Sequence, residues 1–355
     1  MFNNIEIYAG ENARNIILDR GFKAEDVKAM AGSAGGPKFL ILNGLDQVIF
    51  GEMFKNRKEK LFYIGSSIGA FRGTALAQEN PLKSLEKLTE SYLKQSYREK
   101  PSRRDVSADS ERIIDDYLDK KGADYILNKS YMHLNIIAAK CDGISASDNS
   151  WLLPLFLLNA VAVNCISRNA LLKLYERAIF TDTREEPPFL GHFKKPELRI
   201  PLTPENLRSA VLASGAIPFA MDGVRNIKGA PAGTYRDGGV TDYHMDIDFG
   251  VKDGLVLFPH FFSRITPGWF DKAMKWRKPD PENFTNTVMV CPSREFIRKL
   301  PGSRIPDRKD FKTFFGNDKE RLKNWNYAIK ESRKCGEEFF EAVESGRIKE
   351  VLKSF

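Results

Sequence analysis

Apolar positions in the first eighty residues alternate between strand-like runs and helical spacing. Residues 5–9 read as a short strand, and 12–20 as a helix that Gly21 ends. Residues 27–31 form a second apolar run, followed at once by Gly32-Ser33-Ala34-Gly35-Gly36-Pro37-Lys38. Residues 39–50 then carry a helical period, with Phe39, Leu40, Leu42, Leu45, Val48 and Ile49 on one broad apolar face. Leu61-Phe62-Tyr63-Ile64 reads as a buried strand that runs into Gly65-Ser66-Ser67-Ile68-Gly69, and 70–78 reads as the start of a helix. Strand, glycine loop, helix, strand, glycine turn, helix is a βαβα alternation. It predicts an α/β fold with a mainly parallel central sheet and helices on both faces.

Farther along, 86–97 and 112–119 have helical character, and 132–140 reads as a strand. Between the two helices, 94–104 (KQSYREKPSRR) is basic and broken by Pro101, which predicts a loop. The most apolar run is 151–163 (WLLPLFLLNAVAV). With Pro154 inside it, it falls short of the ~20 residues needed to cross a bilayer. It reads as a core helix, with a lipid-facing wall or lid as the alternative. Residues 178–181 and 224–227 are short strand candidates with a helix at 207–214 between them, and 254–262 and 287–291 read as further strands. From 319 onward a helical period (Leu322, Trp325, Ala328, Ile329) within a Lys- and Glu-rich stretch predicts peripheral C-terminal helices. Without a repeat or long linker, the simplest division is one domain over 1–270 and an extension, 271–355, packed on it.

Composition changes this picture little. A chain of 355 residues, 42% hydrophobic, buries a large core. Lys plus Arg is 55 against 47 for Asp plus Glu, a net charge of +8. That modest excess suits a solvated surface, or peripheral contact with an anionic membrane. Nucleic acid is not expected as a partner, because no recognised binding pattern accompanies the charge. The cysteines (Cys141, Cys165, Cys291, Cys335) form no CxxC pair, which argues against a zinc site or a disulfide framework and for a reducing compartment. Residues 1–9 lack a basic segment followed by an apolar run, so no secretory signal is read and a cytoplasmic location is expected.

Gly-x-Ser-x-Gly at a strand-to-helix junction is the layout of a nucleophile elbow, which presents Ser67 at a helix N-terminus. Such a serine needs N–H donors for an oxyanion, and Gly35 and Gly36, at the preceding strand-to-helix junction, are candidates. A Walker loop is excluded, since no Gly-Lys-Ser/Thr occurs. For the base, the histidines are His133, His192, His244 and His260, and a Ser-Asp-His order permits Asp237 or Asp246 with His260. Alternatively Asp237, in Tyr235-Arg236-Asp237-Gly238-Gly239-Val240, accepts the serine proton directly, its pKa adjusted by burial.

The glycine loop with its basic residue, then Gly-x-Ser-x-Gly, then Asp-Gly-Gly, in that order, resembles the patatin-like phospholipases, lipid acyl hydrolases with a Ser-Asp dyad. Ala210-Val211-Leu212-Ala213-Ser214-Gly215-Ala216-Ile217-Pro218-Phe219 is similar to the family's small-residue segment upstream of the aspartate. The resemblance spans residues 27–240. It implies a three-layer α/β/α fold, with Ser67 as nucleophile, Asp237 as base, Gly35 and Gly36 in the oxyanion loop, and Lys38 as its basic, substrate-contacting residue. It also implies a phospholipid or other acyl-ester lipid as substrate, with no metal or cofactor. The loop departs from the family pattern, with Ser33, Ala34 and Phe39 where Asp-Gly and a closing Gly are usual. Two rivals stand beside this reading: a His-triad esterase, and a lipid-binding or regulatory protein that keeps the fold without useful turnover.

Overall fold

The computed structural model describes residues 2–97, 100–148 and 152–355. Its strands are β1 (Ile5–Ala9), β2 (Val27–Gly32), β3 (Leu61–Ser66), β4 (Met132–Cys141), β5 (Glu176–Thr181), β6 (Leu198–Pro201), β7 (Thr234–Asp237), β8 (Leu255–Pro259), β9 (Thr287–Pro292) and β10 (Leu352–Ser354). They form one sheet in the order β10-β1-β9-β8-β2-β3-β4-β5-β6, with β7 paired to β4 off that path. The block β9-β8-β2-β3-β4 is parallel throughout, and β1 and β5 join it antiparallel.

The parallel block is buried on both faces, which explains the near-continuous apolar runs VKAMAG, LFYIGS, LVLFP and TVMVCP. One face packs against the helices Ile68–Leu76 and Leu207–Gly215, with the helix Arg103–Tyr117 lying outside them against Leu207–Gly215, and Phe71, Ile113, Ile114 and Val211 belong to the same buried cluster. The other outer layer meets Ile64, Val256, Phe258 and Met289 through Phe189, Met245, Ile247 and Phe249. The result is a mixed, mostly parallel sheet in a three-layer α/β/α arrangement.

Several local readings change. The helix at 39–50 is real but irregular, a tight turn over Gly36–Leu42, an α segment over Asn43–Val48 and a wide turn over Ile49–Met53. This stretch is crossed closely by the helix Asp318–Glu344: a Cβ on Gly44 would lie 1.9 Å from the Ser332 carbonyl oxygen. The helix Arg103–Tyr117 starts inside the expected loop because Ser102 and Asp105 form a reciprocal capping box; of that basic stretch, 98 and 99 lie outside the described residues. The expected strand at 224–227 is a single bridge, Val224 to Tyr235, and the strand itself is β7 on the far side of the turn. The apolar run is the helix Leu152–Ile166, its first expected residue, 151, lying outside the described residues. It is a surface helix rather than a core one. Leu157, Ala160 and Asn164 face inward while Leu158, Val161 and Ile166 are exposed. Among the described residues no helix is long and apolar enough to cross a membrane. Residues 271–355 supply β9 and β10 to the sheet and the helix Asp318–Glu344, which buries Trp325, Cys335 and Phe339.

Candidate active site

The register of β4 brings the two halves of the site together. β5 occupies one edge of β4 over residues 135–140. On the other edge β3 runs as far as Ser66 opposite Ile137, and β7 arrives from the opposite direction, with Asp237 opposite Ala138. The two strands therefore meet end to end, and the residue after Ser66 is Ser67. Its hydroxyl donates to Asp237 Oδ2 at 2.8 Å.

Ser67 holds φ 55° and ψ −129°, a region that L residues rarely adopt. Holding it there costs about 1–3 kcal/mol, which the surroundings must offset. The Ser67 N–H donates to Ser214 Oγ at 2.9 Å, and the Ser214 hydroxyl donates to the Ile137 carbonyl at 2.6 Å. Tyr63 donates its hydroxyl to the Gly69 carbonyl at 2.8 Å. Gly69 itself lies against β2, where a Cβ would come 2.1 Å from the Gly32 oxygen. Ser214→Ala leaves a buried N–H without its acceptor, a loss of about 1–3 kcal/mol. The expected result is a lower Tm and a kcat reduced about tenfold. An unchanged kcat in the folded variant would show that Ser214 does not hold the elbow.

Asp237 is almost fully buried. Its N–H donates to the Ala216 carbonyl at 2.9 Å, and its Oδ1 accepts the Gly239 N–H at 2.7 Å. Burial raises its pKa above the usual carboxylate value, against weaker opposing effects of the Ser67 hydrogen bond and the Arg308 charge. Gly238 is required where the chain leaves β7, since a Cβ there would lie 2.2 Å from the Ile137 oxygen.

Gly35 and Gly36 follow β2 and flank the same point. Gly36 has φ 57°, and a Cβ on Gly35 would stand 2.6 Å from the Phe261 ring. Among the described residues neither glycine N–H has a protein acceptor. Lys38 lines the cavity beside Ser67, with its ammonium paired to Asp307.

Two cavities meet at Ser67. One, of about 610 Å³, is the more polar of the two and is cationic, lined by Lys38, Lys272, Arg308, Asp237, Tyr243 and Trp269 among others. The second, of about 680 Å³, is a largely apolar cleft lined by Ile68, Phe71, Val106, Ile113, Met221 and Phe311 among others. Ser67, Ile217 and Arg308 line both.

No histidine bonds to Ser67 or Asp237 among the described residues. His260 is fully buried, its Nδ1 lying 2.6 Å from the Phe262 carbonyl oxygen, and burial pulls its pKa down to about 4. His244 lines the polar cavity, but its Nδ1 accepts the Thr266 N–H at 3.0 Å. Asp246 is engaged by Asn283 and the Asp280 N–H. Among the described residues no group of three or more His, Cys, Asp or Glu side chains is gathered as for a metal ion. The site's Ser214, Lys272 and Arg308 escaped the reading of the sequence. Ser214 stood in the small-residue segment, but only tertiary contact gives it or Arg308 a place beside Ser67.

The family model of the patatin-like phospholipases matches residues 61–244, just over half of the chain. The matched segment holds Ser67, Ser214 and Asp237 and leaves out the glycine loop and Arg308. Among curated proteins none matches. Among solved structures, the crystal structure of VipD from Legionella pneumophila is similar at 15% identity, covering 74% of this chain and 54% of that one, with a TM-score of 0.37. The chain thus spans about half the length of that protein. With the elbow, the small-residue segment and the aspartate all inside the matched stretch, the chain belongs to the patatin-like phospholipase family.

Proposed function

We propose that the protein is a lipid acyl hydrolase in which Ser67 and Asp237 act as a dyad. Asp237 Oδ2 takes the Ser67 hydroxyl proton, and Oγ attacks the ester carbonyl carbon. The oxyanion is received by the N–H groups of Gly35 and Gly36 and by the N-terminus of the helix Ile68–Leu76. Collapse of the tetrahedral intermediate breaks the ester C–O bond, and Asp237 returns the proton to the leaving alcohol. Water then gives a proton to Asp237, attacks the acyl-enzyme, and releases the fatty acid as Ser67 regains its hydrogen. The apolar cleft accommodates the acyl chain.

The observation that carries this reading is the 2.8 Å bond between Ser67 Oγ and Asp237 Oδ2 at the head of an apolar cleft. A fluorophosphonate is expected to label the protein at Ser67, and Ser67→Ala to lose both the label and fatty-acid release from phospholipids, lysophospholipids and glycerides. Absence of labelling in the folded wild-type protein favours the non-catalytic lipid-binding reading instead.

A further inference from the structure

The polar cavity holds more positive charge than its own acids neutralise. Lys38, Arg264, Lys272, Arg294, Arg308 and Lys309 line it, against Asp237 and Asp307. Lys38 is spoken for by Asp307, and Arg264 donates to the Met274 carbonyl. The side chains of Lys272 and Arg308 make no hydrogen bond or ion pair with any described residue. Lys272 instead lies over the Tyr243 ring, 4.0 Å from its centroid, with Trp269 at 5.6 Å. The residue is exposed overall, yet the protein around its ammonium, added to by Arg308 and Lys38, pulls its pKa down to about 7, and an anion held beside it restores the full charge. Arg308 stands at the glycine loop, its Nη2 3.2 Å from where a Cβ on Gly36 would be, and it lines both cavities together with Ser67 and Ile217.

Cations crowded together without partners repel one another, and an anion set between them relieves that repulsion. A guanidinium also presents a fork that matches two phosphate oxygens. With the ester at Ser67 and the acyl chain in the apolar cleft, the remainder of a lipid falls in the cationic cavity. We propose that Lys272 and Arg308 form a headgroup site selecting acyl esters whose phosphate headgroup has net negative charge and no ammonium of its own. A choline or ethanolamine headgroup would add a cation to a cavity already rich in them. This assignment rests on the hydrolase reading, and it uses residues outside the matched segment 61–244.

The test uses dioctanoyl phosphatidylglycerol and phosphatidylcholine as monomers, below the concentration at which they aggregate, so that no charged interface contributes. The wild-type protein is expected to favour phosphatidylglycerol in kcat/KM by about tenfold or more. Lys272→Met and Arg308→Gln are each expected to shrink that ratio about tenfold, chiefly through KM, with partial rescue in Arg308→Lys. Lys83→Gln, an exposed lysine of the helix Pro81–Leu93, removes the same formal charge and leaves the ratio alone. Equal rates on the two lipids overturn the headgroup site and leave the hydrolase reading standing. Calorimetric binding to Ser67→Ala separates the reverse case: selective binding of phosphatidylglycerol that needs both cations, with no turnover in the wild type, supports the site and sinks the hydrolase. Inorganic phosphate binding as tightly as the lipid overturns the lipid assignment. Fluorophosphonate labelling checks that each variant keeps a folded site; should a neutral variant fail it, the wild-type ratio and Arg308→Lys decide.

Discussion

Asp237→Asn is expected to lose ester hydrolysis by about 10³-fold or more while the folded protein becomes more stable at neutral pH. The amide keeps the shape of the carboxylate and a carbonyl oxygen for the Gly239 N–H, but it has no capacity to take the Ser67 proton. The stability gain follows from linkage. The folded-state pKa of Asp237 is raised, so its contribution to stability is fully present below the unfolded carboxylate value and is lost as pH rises through the folded one. At neutral pH the buried carboxylate is therefore a cost, and an amide removes it. Thermal unfolding of the variant and the wild type at pH 7 and pH 4 should show a gain at pH 7 that shrinks at pH 4. The same raised pKa predicts that wild-type kcat/KM falls on the acid side as one proton binds, with a midpoint above the ordinary carboxylate value. Full activity in Asp237→Asn would remove the dyad. A lower Tm at pH 7 would contradict the burial argument and leave the dyad intact.

Asp46→Ala has the largest expected effect on stability, a loss of about 3–5 kcal/mol. Asp46 belongs to the helical segment after the glycine loop and Arg72 to the helix after the elbow, so the pair ties together the two elements that frame Ser67. Arg72 Nε donates to Asp46 Oδ2 at 2.7 Å, and its Nη2 donates to Oδ1. Both side chains are about 1% exposed. Removing the carboxylate strands a buried guanidinium, whereas replacing both by apolar residues does not. The double variant Asp46→Leu/Arg72→Met is therefore expected to recover much of the loss, read as the shift in urea midpoint at unchanged m. A change under about 1 kcal/mol for Asp46→Ala would mean that water reaches the pair.

Legibility in the sequence followed how local each requirement was. β2, β3, β8 and β9 are buried on both faces, so their apolar runs stand out, and the mainly parallel sheet could be read from them. Ser67, Gly35 and Gly36 sit at strand-to-helix junctions whose glycines are needed within a few residues. β7 was invisible because its four residues, TYRD, include two buried charges: Arg236, which pairs with Asp148 across the chain at 2.6 Å, and Asp237. Hydropathy alone reads such a segment as a turn. The apolar helix Leu152–Ile166 misled in the opposite direction, since composition reports how apolar a segment is and not what covers it. Lys272 and Arg308 had no local signature, because their meaning depends on a cavity assembled from segments far apart in the chain.

The position of β1 also bears on when this protein finishes folding. The strand nearest the N-terminus sits between β9, residues 287–292, and β10, residues 352–354. During synthesis its first neighbour emerges only after some 280 residues of chain and its second after about 60 more, so the two edges of β1 stay unpaired over those lengths of synthesis. Closing contacts of such sequence separation is slow, and an open strand edge in the meantime is a template for pairing with another chain. Arg308 lies between those two late strands. The cationic cavity is thus assembled only once Arg308 has been made, some 240 residues after the elbow, and a nascent chain carries its serine before it has the surroundings proposed to select a substrate.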